Sequence, residues 1–208
     1  WAASADYHAD VRCSKEIFKQ LSQNYLKFRN TCKFMLDNLV DFDPEKLTRP
    51  EDMPVLDRWL ITKLNELMVK AEQSYCDYEF HIITHAVNDF CVTTLSSFYL
   101  DIVKDRLYCE GADSASRRSA QTALYLTLHT LAKLFAPILA FTCDEVWLAM
   151  PHTAEDDARN VVLNEMNKPF TDYALDSETM ARWERIIAVR TVVNGALEEA
   201  RAAKVIGK

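Results

Sequence analysis

The chain has 208 residues, 49% hydrophobic and 26% charged, which allows one sizeable hydrophobic core and excludes the disordered and low-complexity classes. Three glycines are too few for the positive-φ turns of hairpin-rich sheets, and no apolar run approaches the ~20 residues of a membrane span. A formal net charge of −7, taken alone, speaks against nucleic-acid binding.

No signal peptide opens the sequence. It begins at Trp1 without Met and stops at Lys208 just after a helical pattern, as expected of a piece of a larger protein. The cysteines, Cys13, Cys32, Cys76, Cys91, Cys109 and Cys143, form no CxxC pair, so a zinc knuckle is not expected. They read as reduced thiols in a cytoplasmic setting.

Residues 1–13 have no clean period. Ser14 is placed to cap a first helix, with Glu16 in its first turn. That helix runs to about Leu39 on an apolar seam of Ile17, Leu21, Tyr25, Phe28, Cys32, Met35 and Leu39. At about 100° per residue, Lys15, Lys19, Asn30 and Lys33 project from the opposite face. Arg29 sits at the edge of that face, and Arg12 falls on it at or just ahead of the helix start. Leu26 and Phe34 also lie off the seam, so the helix is expected to meet more than one neighbour. From Val11 to Lys33 there are six basic residues and one acid, a local basic stripe that the global charge hides.

Asp41 to Pro54 is a proline-rich acidic loop. A second helix follows from about Val55 to Cys76, with Leu56, Leu60, Leu64, Leu67, Ala71 and Tyr75 inward. After a very short turn, Tyr78 to Tyr108 reads as one long helical rod without Gly or Pro. Its seam is Phe80, Ile83, Val87, Phe90, Thr94, Phe98 and Ile102. Gly111 stops it, and a fourth helix covers about Ala115 to Phe135. Pro137 forces a kink or a new helix over Ile138 to Met150. Pro151 to Leu175 is a long connection, with a short extended piece expected at Val161 to Leu163, and a final helix runs from Asp176 or Ser177 to about Val205. Short links between long helices predict an all-α, antiparallel bundle of about five long helices. The chain divides into 1–13, 14–175 and 176–208.

Four constellations bear on chemistry. His81, His85 and Asp89, spaced i, i+4, i+8, are weighed as metal ligands against three solvated polar residues; the second reading is preferred, since no ExxH motif accompanies them. Arg190 and Arg201 project onto the last helix's apolar seam of Trp183, Ile186, Ile187, Val193 and Leu197. They are expected to pair with an acid such as Asp144 or Glu145, with a phosphate contact as the other reading. No catalytic motif is present: no GxSxG, Walker loop or GxGxxG, and no Cys or Ser with an obvious His partner. The basic stripe reads equally as a solvated face or as a phosphate-tracking one.

The rod then adds a resemblance. FCVTTLSSFYLDIVKDRLY (Phe90–Tyr108) closely resembles the signature helix in the anticodon-binding domain of isoleucyl-tRNA synthetases, bacterial-type ones especially. KFRNTCKFMLDNLVDFDP (Lys27–Pro44) resembles that family's first bundle helix with its RNT core. LDRWLITKL (Leu56–Leu64) and LAKLFAPILAFTCDEVW (Leu131–Trp147) are similar to class I synthetase segments, and WERIIAVRTVVNGALEEAR (Trp183–Arg201) to the helix leading towards the C-terminal end. WAASADY (Trp1–Tyr7) looks like the segment that follows the KMSKS loop. The resemblance covers essentially the whole chain. It implies a junction segment at 1–13, an anticodon-binding bundle at 14–175 and a last helix leading to a further module. The partners implied are the tRNA for isoleucine and the rest of the same synthetase chain, with neither DNA nor membrane. The HIGH and KMSKS motifs are absent, so this piece is expected to hold no cofactor and to be inactive alone; the parent ligase uses ATP, Mg and zinc. The tRNA-contact candidates are Arg12, Lys15, Lys19 and Lys33 for phosphates, and Arg29 and Asn30 for base or backbone. The alternatives are a helical protein-interaction scaffold and, further off, a metal-binding bundle.

Overall fold

The computed structural model describes residues 1–207. It is all-α, with no strand among the described residues. The long elements are α1 (Lys15–Asp37), α2 (Val55–Cys76), α3 (Phe80–Asp89), a π-helical segment (Phe90–Tyr99), α4 (Leu100–Cys109), α5 (Ala115–Phe135), α6 (Ala140–Ala149) and α7 (Ser177–Ala202). By contact the chain falls into two units, Trp1–Ala174 and Leu175 onward.

Local chemistry explains several helix ends. The Ser14, Ser114 and Asp176 side chains accept from the backbone N–H three residues on, at Ile17, Arg117 and Thr179. α2 ends in a Schellman turn: Glu79 N–H donates to the Ser74 carbonyl at 2.8 Å and Tyr78 N–H to the Tyr75 carbonyl at 3.2 Å. The residue such a turn needs in the left-handed region is Tyr78, at φ 60°, where glycine is usual. The reversal takes three residues and lays α3 back along α2.

The expected rod is not one α-helix. Over Phe90–Tyr99 its backbone bonds run i→i+5, and Ser97 Oγ accordingly donates to the Val92 carbonyl, five residues back, at 2.8 Å. Each residue there turns the chain less than in an α-helix, so the inward face slips along the sequence. Thr94 and Ile102, expected inward, are half-buried and exposed; Leu95, Tyr99 and Val103 are buried instead.

The structural axis of the first unit is α5, where every residue from Ser119 to Leu128 is buried. A helix buried all round must find partners for its polar residues. Gln121 donates to the Asn38 carbonyl and Asp41, both at 2.8 Å, and Thr122 accepts from Thr48 N–H at 3.0 Å. Ser119 donates to Asp57, the fully buried hub joining α2, α4, α5 and the π segment. Asp57 also takes a bidentate pair from Arg106 at 2.8 and 2.7 Å and the Tyr99 hydroxyl at 2.8 Å. Cys32, Cys91 and Cys143 lie buried together; burial pushes Cys91 and Cys143 up to about 12 and raises Cys32 well above the usual thiol range, with the two neighbouring thiols adding.

The connection after α6 is irregular but well tied. Val161–Leu163, expected extended, is a 3-10 turn capped by the Asn160 side chain. Asp156 accepts from His129 Nε2 at 2.9 Å and from the Thr153 N–H at 3.0 Å and hydroxyl at 2.9 Å. Asn167 Nδ2 donates to His129 Nδ1 at 2.8 Å, so the imidazole is neutral with its proton on Nε2. Arg58 holds the carbonyls of Tyr173 and Ala174 at 3.1 and 2.8 Å.

In the second unit, α7 carries ion pairs along its own surface, Arg182–Glu178 and Arg201–Glu198. Arg201 thus has an acid within its own helix. In the first unit, Asp144 accepts from the Asn160 side chain and Val161 N–H. Ile186, Val193 and Leu197, read as a buried seam, are exposed.

Candidate nucleic-acid interface

α1 turns Phe28, Thr31, Cys32 and Met35 inward. Its outer side is set by the same rotation: Lys15, Lys19, Asn30 and Lys33 are exposed on one face, with Arg29 exposed at its edge. Arg12 lies ahead of the helix and is exposed; its carbonyl accepts from Trp1 Nε1 at 3.1 Å, which pins the entry segment there. The structure thus gathers five of the six candidates on one helix and leaves Arg12 at its approach. Leu26, expected to meet a neighbour, is exposed within this face, whereas Phe34 does meet one, the Tyr108 ring, 6.4 Å centre to centre.

One acid intrudes. Lys33 Nζ is 2.7 Å from Asp37, one turn on, with both side chains more than 60% exposed. Such a pair is worth little in water and yields to a phosphate. Asp37 falls just past the stretch whose charge stands out in the sequence.

The stripe also borders a groove. Between α1, the π segment and α4 lies a depression of about 380 Å³ whose lining includes Lys27, Asn30, Ser96, Ser97 and Lys104. Lys104 and the two serines had no signal in the sequence, because their approach to α1 depends on how the π winding aims them. A larger depression of about 550 Å³, under the connection, is lined by Glu155, Asp156, Asp157 and Glu165 against Lys133 and the neutral His129, the wrong sign for a polyanion. His81 faces Glu79 at 3.3 Å, and His85 and Asp89 are exposed. Among the described residues no group of three or more His, Cys, Asp or Glu is arranged to hold a metal ion. No helix among the described residues is long and apolar enough to cross a membrane.

Residues 57–208 match the family described as the anticodon-binding domain of tRNA ligase. The chain belongs to that family. Over its whole length this anticodon-binding domain is also similar to isoleucine–tRNA ligases: 47% identical over 209 residues to that of Moorella thermoacetica, 47% over 211 to that of Geobacillus kaustophilus and 46% over 208 to that of Geobacter sulfurreducens. It spans 22% of the length of each of these relatives. The family match begins inside α2, so α1 and its basic face lie ahead of it, in the part of the domain covered by the ligases alone.

Proposed function

We propose that this anticodon-binding domain holds the anticodon stem and loop of isoleucine tRNA as part of an isoleucine–tRNA ligase, with the outer face of α1 against the phosphate backbone. The carrying observation is the gathering of Lys15, Lys19, Arg29 and Lys33 on one exposed helix face in a chain of net charge −7. A cationic strip tracks phosphates while the acidic remainder discourages indiscriminate binding. Arg12 extends the strip, and Asn30 adds an amide able to donate and accept. Ligation of isoleucine belongs to the parent chain, and this domain contributes grip.

The test is a gel shift against isoleucine tRNA and a non-cognate tRNA across a salt series. Tighter binding of the isoleucine tRNA, weakening steeply with salt, is expected. Lys19→Glu with Lys33→Glu should weaken it and flatten the salt dependence by roughly 1.5–2 in log–log slope. Unchanged binding would reduce the stripe to a solvated face. Salt-insensitive association with proteins and no tRNA affinity would favour a helical scaffold.

A further inference from the structure

The depression under the connection is the wrong sign for RNA, and most of its polar lining is already engaged. Lys133 Nζ donates to Asp156 at 3.4 Å and to Asn167 at 3.3 Å, and it sits 5.2 Å from the centre of the Trp147 ring. Asp156 is filled by His129, Lys133 and Thr153, and Asp157 is paired with Arg159 at 2.6 Å. The side-chain amides of Asn164 and Asn167 donate within the fold, to the Asp157 and Asn160 carbonyls and to His129 and Thr130.

Three lining groups remain open. Glu155 and Glu165 are exposed, with no ion-pair partner among the described residues. The third is the Tyr125 hydroxyl: the residue is only 3% exposed, yet its oxygen has no hydrogen-bond partner. A buried hydroxyl left unpaired costs about 1–3 kcal/mol, so this one stands out in a fold that satisfies its neighbours. Burial raises the Tyr125 phenol, and Asp156 and Glu45 add to the rise, which sets the hydroxyl on the acids' side of the ring. All three open groups are oxygens that accept N–H donors, and two of them carry negative charge.

We propose that this depression receives an arginine side chain presented by a protein partner, with the guanidinium among Glu155, Glu165 and the Tyr125 hydroxyl and its methylenes along Leu47, Leu163 and Phe170. The open oxygens do not converge on one point: among the described residues no three acids are arranged to hold a metal ion. A compact cation is therefore poorly matched. A guanidinium is broad and planar, carries five N–H donors that diverge, and lies flat on aromatic and apolar walls, which Leu47, Leu163 and Phe170 supply here. Its weak hydration also suits a half-enclosed place better than an ammonium does. At about 550 Å³ the depression has room for the whole side chain. The inference does not depend on the reading of α1.

The experiment titrates the full 208-residue chain with the blocked peptide acetyl-Ala-Arg-Ala-amide and with its lysine and citrulline counterparts, followed by backbone-amide NMR. The arginine peptide should give saturating shifts at Leu163, Asn164 and Glu165. It should bind about threefold tighter than lysine and about tenfold tighter than citrulline, which keeps the shape and loses the charge. Tyr125→Phe should weaken the arginine peptide about two- to tenfold. Because that hydroxyl has no partner in the fold, the same variant should leave the urea midpoint unchanged or raise it. Glu155→Gln with Glu165→Gln should weaken binding about threefold. The peptide series needs no variant, so it reads out even if a substitution disturbs the fold. No saturating shift at the depression, or citrulline or lysine binding as tightly as arginine, overturns the proposal. So does a Tyr125→Phe chain that keeps its affinity or that loses stability, since the hydroxyl would then serve the fold and not a ligand.

Discussion

Asp57 is the side chain on which the first unit's packing is most exposed to a single change. Its carboxylate is fully buried and takes donors from Arg106, Tyr99 and Ser119. Asp57→Ala should lower unfolding free energy by about 3–5 kcal/mol, because the Arg106 guanidinium loses its counter-charge in a mostly buried place. Tyr99→Phe, which removes one donor and keeps the ring, should cost about 1 kcal/mol. Urea titrations of both variants test the contrast; equal losses would mean packing, not charge, dominates the hub. Two further carboxyls set the pH response. The Arg117 hydrogen bonds hold Asp41 down to about 2. Burial alone would raise Asp156, but bonds from His129 and the Thr153 backbone outweigh it and bring it to about 2. Both carboxyls sit below their unfolded value of about 4, so their contribution is present above pH 4 and lost as pH falls towards 2. Burial holds His129 below its ordinary 6.5. The unfolded chain therefore takes up a proton first, and stability begins to fall below pH 6.5. The urea midpoint should decline in two stages on acidification, and His129→Gln should remove the upper one.

At the scale of elements, the places where sequence periodicity misleads have backbone causes. Apolar spacing of three or four fits α winding, and nothing in Phe90–Tyr99 announces i→i+5 bonding. The rod's length is legible for that reason, while its inward face beyond Asp89 is not, and the groove serines go unseen with it. Helix starts are readable because Ser14, Ser114 and Asp176 carry their own signal. The α2 stop is not, since its left-handed position is filled by tyrosine. Tyr78→Gly should relieve that conformation and raise stability by about 0.5–1 kcal/mol, the left-handed penalty less glycine's added unfolded-state freedom. A lower thermal midpoint would show that the Tyr78 ring, 6.2 Å from Phe80, matters more than its backbone. The outward face of α1 is the best-read part of the candidate interface, because it needs nothing beyond helical rotation.

For the whole molecule, net charge and local charge answer different questions. Net charge bears on solubility, while the proposed attraction to a phosphate chain rests on one helix face. The cysteines are divided in a comparable way: Cys13, Cys76 and Cys109 are exposed, and Cys32, Cys91 and Cys143 are buried with their thiols held protonated. Native chain in iodoacetamide should alkylate at the first three and stall, and the remaining three should follow only as fast as the bundle opens. Their lag is an internal clock for unfolding that needs no label. A bound RNA should lengthen it, because it favours the closed chain. Cys13 adjoins Arg12, so its alkylation should slow for a second reason, direct cover, while Cys76 and Cys109 keep their rates. Mass spectrometry of a single quenched series would then report both where RNA sits and how tightly it holds the fold shut.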